Sequence, residues 1–405
     1  MKVDLTIDID VTKHESPCDL ASRLESVSKG ESVAIRLADV EVCPNRIVPV
    51  VGIVDDFVSR GYDIHFLTIP HSAGERAVSG FNNREINPHG SVAEAFGRVW
   101  RFDNAGEQYA VVDAMVLQLD KSANLANGVR QCFDWCLNEV TDNVLNHSRP
   151  GGGAHGYVMA QFVRAANLLK ICVFDTGIGI RKSFAGSKYE GVDAAEAIRL
   201  AVRRGVTNGN GQGNGLWGLH EMVKLGKYGK LHIRSGGAEY LFRPSDGIES
   251  VRGSEPLPGF DGTTTVDFQV VCTESTRLQD IFGEDFQTVD FWTEAHEDDA
   301  GALNIEVAEL ASGFGSRDAA AGIRLLVENA IDNDRRFVKL DFRNVVNCSS
   351  SFIDELLAKL VVKYGIVTYA NVLKILNLTG LPAALANVAI AQRYDMEARR
   401  KDESV

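Results

Sequence analysis

Leu137–Ser148 reads LNEVTDNVLNHS, and it lies in a run from about Val129 whose apolar residues Phe133, Leu137, Val140 and Val144 recur at helical spacing. On that helix Glu139 and Asn143 stand four residues apart and share a face, which His147 extends. An acid and an amide one turn apart suit a metal–triphosphate site. The amide oxygen can ligate Mg²⁺, and the carboxylate can orient or deprotonate a nucleophile. The same pair is also what a solvated helix face carries, so its meaning depends on the rest of the chain.

Two later stretches supply that context. Ile171–Ile180, ICVFDTGIGI, is a short apolar run ending in Asp175, followed by Gly177 and Gly179. It reads as a strand entering a glycine turn, with a carboxylate at the strand end. Such a carboxylate can accept from an exocyclic amine, and the glycines let backbone approach a flat ring. Gly205–Leu225, GVTNGNGQGNGLWGLHEMVKL, carries glycines at 209, 211, 213, 215 and 218 ahead of a periodic apolar segment. It reads as a glycine-rich loop opening a helix, able to present backbone N–H groups to phosphate oxygens.

In this order and spacing the three stretches resemble the GHKL ATPase superfamily, which includes DNA gyrase, histidine kinases and the anti-sigma-factor serine kinases. The resemblance spans about Val111 to Val271. It implies Glu139 as the catalytic acid–base residue and Asn143 as the Mg²⁺ ligand. It also implies Asp175, Gly177 and Gly179 in the adenine box, and Gly211, Gly213, Gly215 and Leu216 in the phosphate lid. A later strand, Gly262–Val270 (GTTTVDFQV), matches the closing strand whose Thr reaches adenine through water; Thr264 fits best, with Thr263 close behind. The implied cofactors are ATP and Mg²⁺. The implied fold is an α/β sandwich, a mostly antiparallel sheet with helices on one face. Histidine kinases also need a phospho-accepting His with a Pro shortly after it; His220-Glu221 and His296-Glu297 lack that Pro. The nearer resemblance is to the anti-sigma-factor serine kinases. Asp142 points about 100° away from the Glu139 face and has a supporting role only. Lys182, Arg203 and Arg204 lie between the boxes, where one can meet the γ-phosphate or all can be solvated.

At 405 residues the chain is long enough for two to four domains. Its net charge of −13 argues against direct nucleic-acid binding. Seven cysteines without a regular framework argue against a secreted disulfide scaffold; Cys132 and Cys136 have no second pair at metal-site spacing and read as buried thiols. No run is long enough to span a bilayer, and the expected compartment is the cytoplasm. Residues 1–95 read as a β-α-β module: a strand in MKVDLTIDID, helices over Ser16–Val27 and Pro44–Arg60, and strands over Ser32–Ala38 and Tyr62–Ile69. Pro70–His89 reads as a loop. The central domain spans 96–275, and Leu278–Ala300 reads as an acidic, solvated connector.

Residues 285–396 resemble the STAS-like domains of bacterial regulatory proteins, on VKLDFRNVVNCSSSFIDELLAKLV, Val338–Val361. There a strand enters a turn whose first serine accepts phosphate from a GHKL serine kinase. By register Ser350 is that acceptor, while Ser349 replaces an Asp and Phe352 a Gly. Ser349–Ser351 also suit a helix cap. Ser316 is a second expected cap, for a helix over 316–329, and the tail 397–405 reads as charged and frayed. Val33–Phe57 can be laid on Val338–Val362 without a gap, which makes the N-terminal module a candidate degenerate copy. The fold expectation is α/β (α+β): a central sandwich flanked by smaller STAS-like modules. The functional expectation is Mg-dependent ATP hydrolysis or phosphotransfer to a protein serine, with a protein partner. The alternatives are a non-catalytic ATP-gated switch and an ATP-driven homodimer of the clamp type.

Overall fold

The computed structural model describes residues 4–10, 16–37, 42–88, 94–146, 155–208, 213–286, 291–333 and 336–402. His147 and Gly211 lie outside the described residues. The architecture is mixed α/β, as the sequence implies. Two compact units are present, residues 1–115 with 131–286, and residues 116–130 with 287–405.

The first unit opens with a parallel three-stranded sheet in the order β1 (Leu5–Ile9), β2 (Ser32–Leu37), β3 (Asp63–Leu67). Helices α1 (Ser16–Glu25) and α2 (Pro44–Ser59) connect its strands. A further helix, α3 (Ala73–Asn82), occupies the segment expected to be a loop. The missed signal is Ser72-x-x-Glu75: Ser72 Oγ accepts from the Glu75 N–H at 3.0 Å, and Glu75 Oε2 accepts from the His71 N–H at 2.6 Å. The first bond satisfies one of the four unpaired N–H groups of the first turn, and the second ties the residue before the cap back to the helix.

Next along the chain come β4 (Trp100–Phe102), α4 (Ala105–Ser122), α5 (Val129–Asn146), β5 (Gly156–Val163), β6 (Leu168–Asp175), α6 (Gly179–Ser183), α7 (Ala194–Ala201), α8 (Gly215–Leu225), β7 (Lys230–Ser235), β8 (Ala238–Arg243), β9 (Ile248–Gly253), β10 (Thr264–Val271) and α9 (Leu278–Phe282), the end of α4 and the start of α5, within 116–130, counting with the second unit. The seven strands form one sheet, ordered β4-β5-β6-β10-β7-β8-β9, with every neighbouring pair antiparallel. The two-residue period of a strand assigns its faces. Tyr157, Met159, Cys172 and Phe174 share a core with α2 and the parallel sheet. Val173, Asp175, Thr264 and Val266 face a cleft on the opposite side.

The boundary expected near residue 95 falls inside this first unit. The reason is α2, which buries Ile47, Val48, Val50, Val51, Ile53, Val54 and Phe57 and so is apolar around most of its circumference. It serves two sheets at once. A Cβ on Gly52 would stand 2.5 Å from the Phe174 ring, so glycine is what permits the approach. A polar tie accompanies it: Arg101 donates to Asp55 of α2 at 2.8 Å and to Asp103, and the Tyr157 hydroxyl donates to Asp55 at 2.7 Å.

The second unit contains a parallel sheet in the order β11 (Leu303–Glu306), β12 (Val338–Asp341), β13 (Leu373–Leu376). Its helices are α10 (Phe291–His296), α11 (Val307–Leu310), α12 (Arg317–Asp332), α13 (Ser350–Ile353), α14 (Lys359–Val372) and α15 (Gly380–Asp402). Ser316 caps α12 as expected, accepting from the Ala319 N–H at 3.2 Å. The tail expected to fray instead continues α15 to Asp402. A π-helical turn, Asp354–Ala358, separates α13 from α14. Ion pairs flank it: Asp354 with Arg317 (2.6 Å) and Arg393 (2.5 Å), and the buried Glu355 with Arg324 (3.1 Å) and Lys359 (2.5 Å).

The two parallel sheets have the same strand order. Val33 is flanked by Leu5 and Ile64, and Val338 by Leu303 and Leu373. The two residues aligned in sequence thus hold matching places at the start of a central strand. Among the described residues no helix is long and apolar enough to cross a membrane.

Candidate functional site

Helix α5 positions the site because its two faces differ. Phe133, Cys136, Leu137, Val140 and Val144 are buried, while Trp135, Glu139 and Asn143, each four apart, line a cleft of about 470 Å³. The N-terminus of α8 comes directly onto this stripe. A Cβ on Gly215 would stand 2.8 Å from Glu139 Oε2 and 3.3 Å from Asn143 Nδ2. Burial, and secondarily the charge of Asp142, raises the pKa of Glu139 above the usual carboxylate value. Asp142 itself is exposed and accepts from Asn146 Nδ2 at 2.6 Å.

The opposite wall comes from the sheet. Asp175 ends β6 and pairs in register with Thr264 at the start of β10. Asp175 Oδ1 accepts from the Gly177 N–H at 2.8 Å, which fixes the carboxylate. Thr264 Oγ1 lies 3.1 Å from Ser235 Oγ at the end of β7, and Ser235 Oγ accepts from the Ile180 N–H at 3.0 Å. Gly179 has φ +79°, and a Cβ there would stand 3.1 Å from both Gly262 O and Ser235 Oγ. The sequence contains no signal for Ser235, because its role depends on β10 inserting beside β7.

The described residues on either side of the glycine-rich loop, 206–208 and 213–216, also line the cleft. Gly213 adopts φ +66°, and its carbonyl accepts from the Gly205 N–H at 3.1 Å. Val206, Thr207, Asn208, Asn214 and Leu216 contribute to the wall. The cleft therefore brings together Glu139, Asn143, Asp175, Gly179, Gly213, Gly215, Leu216 and Thr264.

Other expected residues sit elsewhere. Gly177 is buried beneath Gly262 and does not line the cleft; its part is the hydrogen bond to Asp175. Thr263 does not line the cleft, its hydroxyl donating to Phe260 O at 3.1 Å, whereas Thr264 does. Lys182 is exposed outside the cleft, and Arg203 and Arg204 line a separate groove.

The segment read as a solvated connector is corrected most. Leu278 and Ile281 are buried, and Phe282 and Phe286 line the cleft beside Trp135. Trp135 and Phe282 meet edge to face at 4.7 Å, Phe282 and Phe286 stack at 4.2 Å, and Trp217 meets Phe282 at 5.4 Å. A Cβ on Gly218 would come within 2.4 Å of Trp135 and 2.8 Å of Phe282. Apolar residues at 278, 281, 282 and 286 have helical spacing, a signal outweighed at the sequence level by the surrounding acids.

Cys132 and Cys136 are buried, as expected. The Cys132 thiol donates to Thr276 O at 3.1 Å, and burial pushes its pKa up to about 12. Among the described residues no group of three or more His, Cys, Asp or Glu is arranged to hold a metal ion. A metal in this cleft would take most of its ligands from phosphate oxygens and water, an arrangement that suits Mg²⁺ and a single amide such as Asn143.

In the second unit Ser349 is the helix cap, its Oγ accepting from the Phe352 N–H at 3.0 Å and lying 2.9 Å from Ser351 Oγ. Ser350 is exposed at the first position of α13. The family model described as a STAS-like domain of unknown function (DUF4325) matches residues 319–381. The second unit thus carries a STAS-like domain, of which α12, β12, α13, α14 and β13 are part. No curated protein matches the chain.

Proposed function

We propose that the first unit is a GHKL-type Mg-ATP site whose state governs a protein partner through hydrolysis or transfer of phosphate to a serine. The observation that supports this is the convergence of three motifs on one cleft, with Gly215 packed against both Glu139 and Asn143. The Asp175 carboxylate, held by Gly177, accepts from the exocyclic amine of adenine; Thr264 and Ser235 order a water beside it. Backbone N–H groups at the start of α8 meet the phosphates, aided by the positive end of that helix. Asn143 would hold Mg²⁺, which would supply charge neutralisation at the phosphates. Glu139, its basicity raised by burial, takes the proton of the attacking hydroxyl.

The STAS-like domain of the same chain offers Ser350 as an exposed hydroxyl of the expected acceptor type. The test is purified full-length protein with Mg²⁺ and γ-labelled ATP, alongside Glu139→Gln, Asn143→Ala and Ser350→Ala. Label on protein that requires Glu139 and Ser350 identifies a serine kinase. Free phosphate alone, lost in Glu139→Gln, identifies an ATPase. Absence of Mg-ATP binding by calorimetry refutes the nucleotide reading.

A further inference from the structure

A second groove, of about 470 Å³, opens beside the turn that leads from α7 into the glycine-rich loop. It is lined by Arg199, which pairs with Glu196, by Arg203 and Arg204, by Trp217, His220 and Glu221 of α8, and by Glu249–Val251 of the edge strand β9. The Arg204 guanidinium lies 4.9 Å above the Trp217 ring. Arg203 and Arg204 are exposed, and among the described residues neither is in an ion pair. The carboxylates of the groove are already engaged. Glu221 pairs with Lys224 at 3.0 Å and His220 at 3.1 Å, and Glu249 accepts from the Tyr240 hydroxyl at 3.2 Å.

In a chain of net charge −13, two adjacent arginines that among the described residues have no carboxylate partner, one of them over an indole ring, make a local positive patch. The overall field repels an acidic partner, so a site for one has to be built locally, from cations and a low-dielectric wall. This groove has both. A guanidinium offers a fork that matches a carboxylate in two bonds, and the indole beneath Arg204 holds that fork in place. We propose that the groove docks an acidic segment of a partner protein, with Arg203 and Arg204 gripping its carboxylates and Trp217 as the support beneath Arg204.

The placement also links the groove to the first cleft. Trp217 carries Arg204 and also meets Phe282, a wall residue of the cleft, edge to face at 5.4 Å. The Arg203 carbonyl accepts from the Val206 N–H at 3.4 Å, at the base of the loop that Gly213 closes. A segment gripped by Arg203 and by Arg204 on Trp217 therefore bears on the cleft wall and the loop base, and occupancy of the two sites is coupled reciprocally. This coupling, unlike the docking, rests on the nucleotide reading above.

The experiment uses full-length protein and a labelled peptide of alternating Glu and Ser, with its Gln–Ser counterpart, followed by fluorescence anisotropy. The acidic peptide binds saturably, the Gln–Ser peptide does not, and added salt weakens the complex. The double variant Arg203→Glu/Arg204→Glu, whose exposed side chains leave folding intact by thermal unfolding, loses about tenfold or more in affinity. Equal binding of the two peptides, no saturable binding, or indifference to the charge reversal overturns the proposal. Mg-ATP binding is measured in parallel by calorimetry. If ATP does not bind, the nucleotide reading has failed, and the docking is judged on the peptide titrations alone. If ATP binds and shifts peptide affinity in wild type but not in Phe282→Ala, the coupling holds; equal affinity with and without ATP in wild type refutes it.

Discussion

Gly215→Ala separates the geometry of the cleft from the stability of the fold. Gly215 is the first residue of α8 and is not among the positive-φ glycines, so an alanine backbone is tolerated there. Replacing Gly by Ala in a helix gains up to about 1 kcal/mol by intrinsic propensity, less at an end position. The added methyl meets Glu139 Oε2 at 2.8 Å, Asn143 Nδ2 at 3.3 Å and Glu139 Cβ at 3.5 Å. The first two are ends of flexible side chains, so they yield, and the carboxylate has to retreat by about 0.5 Å or change rotamer to reach an ordinary contact. A displacement of that order at a reacting group costs roughly tenfold to a hundredfold in rate. The expected result is an unfolding midpoint equal to or above wild type, together with a tenfold or greater loss of Mg-ATP turnover and weaker Mg-ATP binding. Thermal unfolding, calorimetric titration and phosphate release measure the three. A variant that binds and turns over Mg-ATP like wild type would show that the Glu139–Asn143–Gly215 contact is not a functional one.

Three further substitutions probe other layers. Gly52→Ala drives a methyl into the Phe174 and Tyr157 rings at 2.5 and 3.0 Å, and these buried rings cannot move aside; it should destabilise the first unit by about 1–3 kcal/mol in denaturant melts, and no loss would mean that α2 is not fixed against the sheet. Glu139→Gln tests the raised pKa: burial, with Asp142, disfavours the charged form in the folded state, so the native protein binds the Glu139 proton more tightly than the unfolded chain does, and stability falls as pH rises through the folded pKa. The amide should therefore melt higher than wild type at neutral pH, the advantage vanishing in acid below the unfolded carboxylate pKa, while turnover is lost. Ser349→Ala should cost the second unit about 1 kcal/mol as a lost helix cap, whereas Ser350→Ala should leave its melting unchanged and remove only a phosphate label.

What the sequence revealed and what it concealed follow from the range of the interactions. The parallel modules were legible because each strand and helix carries its own period, and Ser316 and Ser349 were legible because a cap is settled within three residues. Glu139 and Asn143 share a face through local helix geometry alone. Helix α3 was hidden by its composition, although its Ser72–Glu75 box was in view. The aromatic wall was hidden differently: the periodic residues of 278–286 are interleaved with acids, and only packing against Trp135 shows which set decides the structure.

Strand order explains why the site needs tertiary structure at all. β10 is the last strand of its sheet in sequence, yet it lies between β6 and β7. That insertion puts Thr264 in register with Asp175 on one side and Ser235 on the other, residues that the sequence separates by 89 and 29 positions. It also gives the cleft face of the sheet its continuity from Val173 to Val266. The segment leaving β10 then has to cross toward the end of α5 that bears Trp135, where the Thr276 carbonyl accepts from Cys132 and Phe282 closes on Trp135. The cleft wall is thus completed by the same stretch of chain that leads out of the first unit at Phe286. A substitution at Phe282 should consequently affect the cleft more than its distance from Glu139 in sequence would suggest, whereas the exposed Glu284 and Asp285 beside it can be exchanged freely.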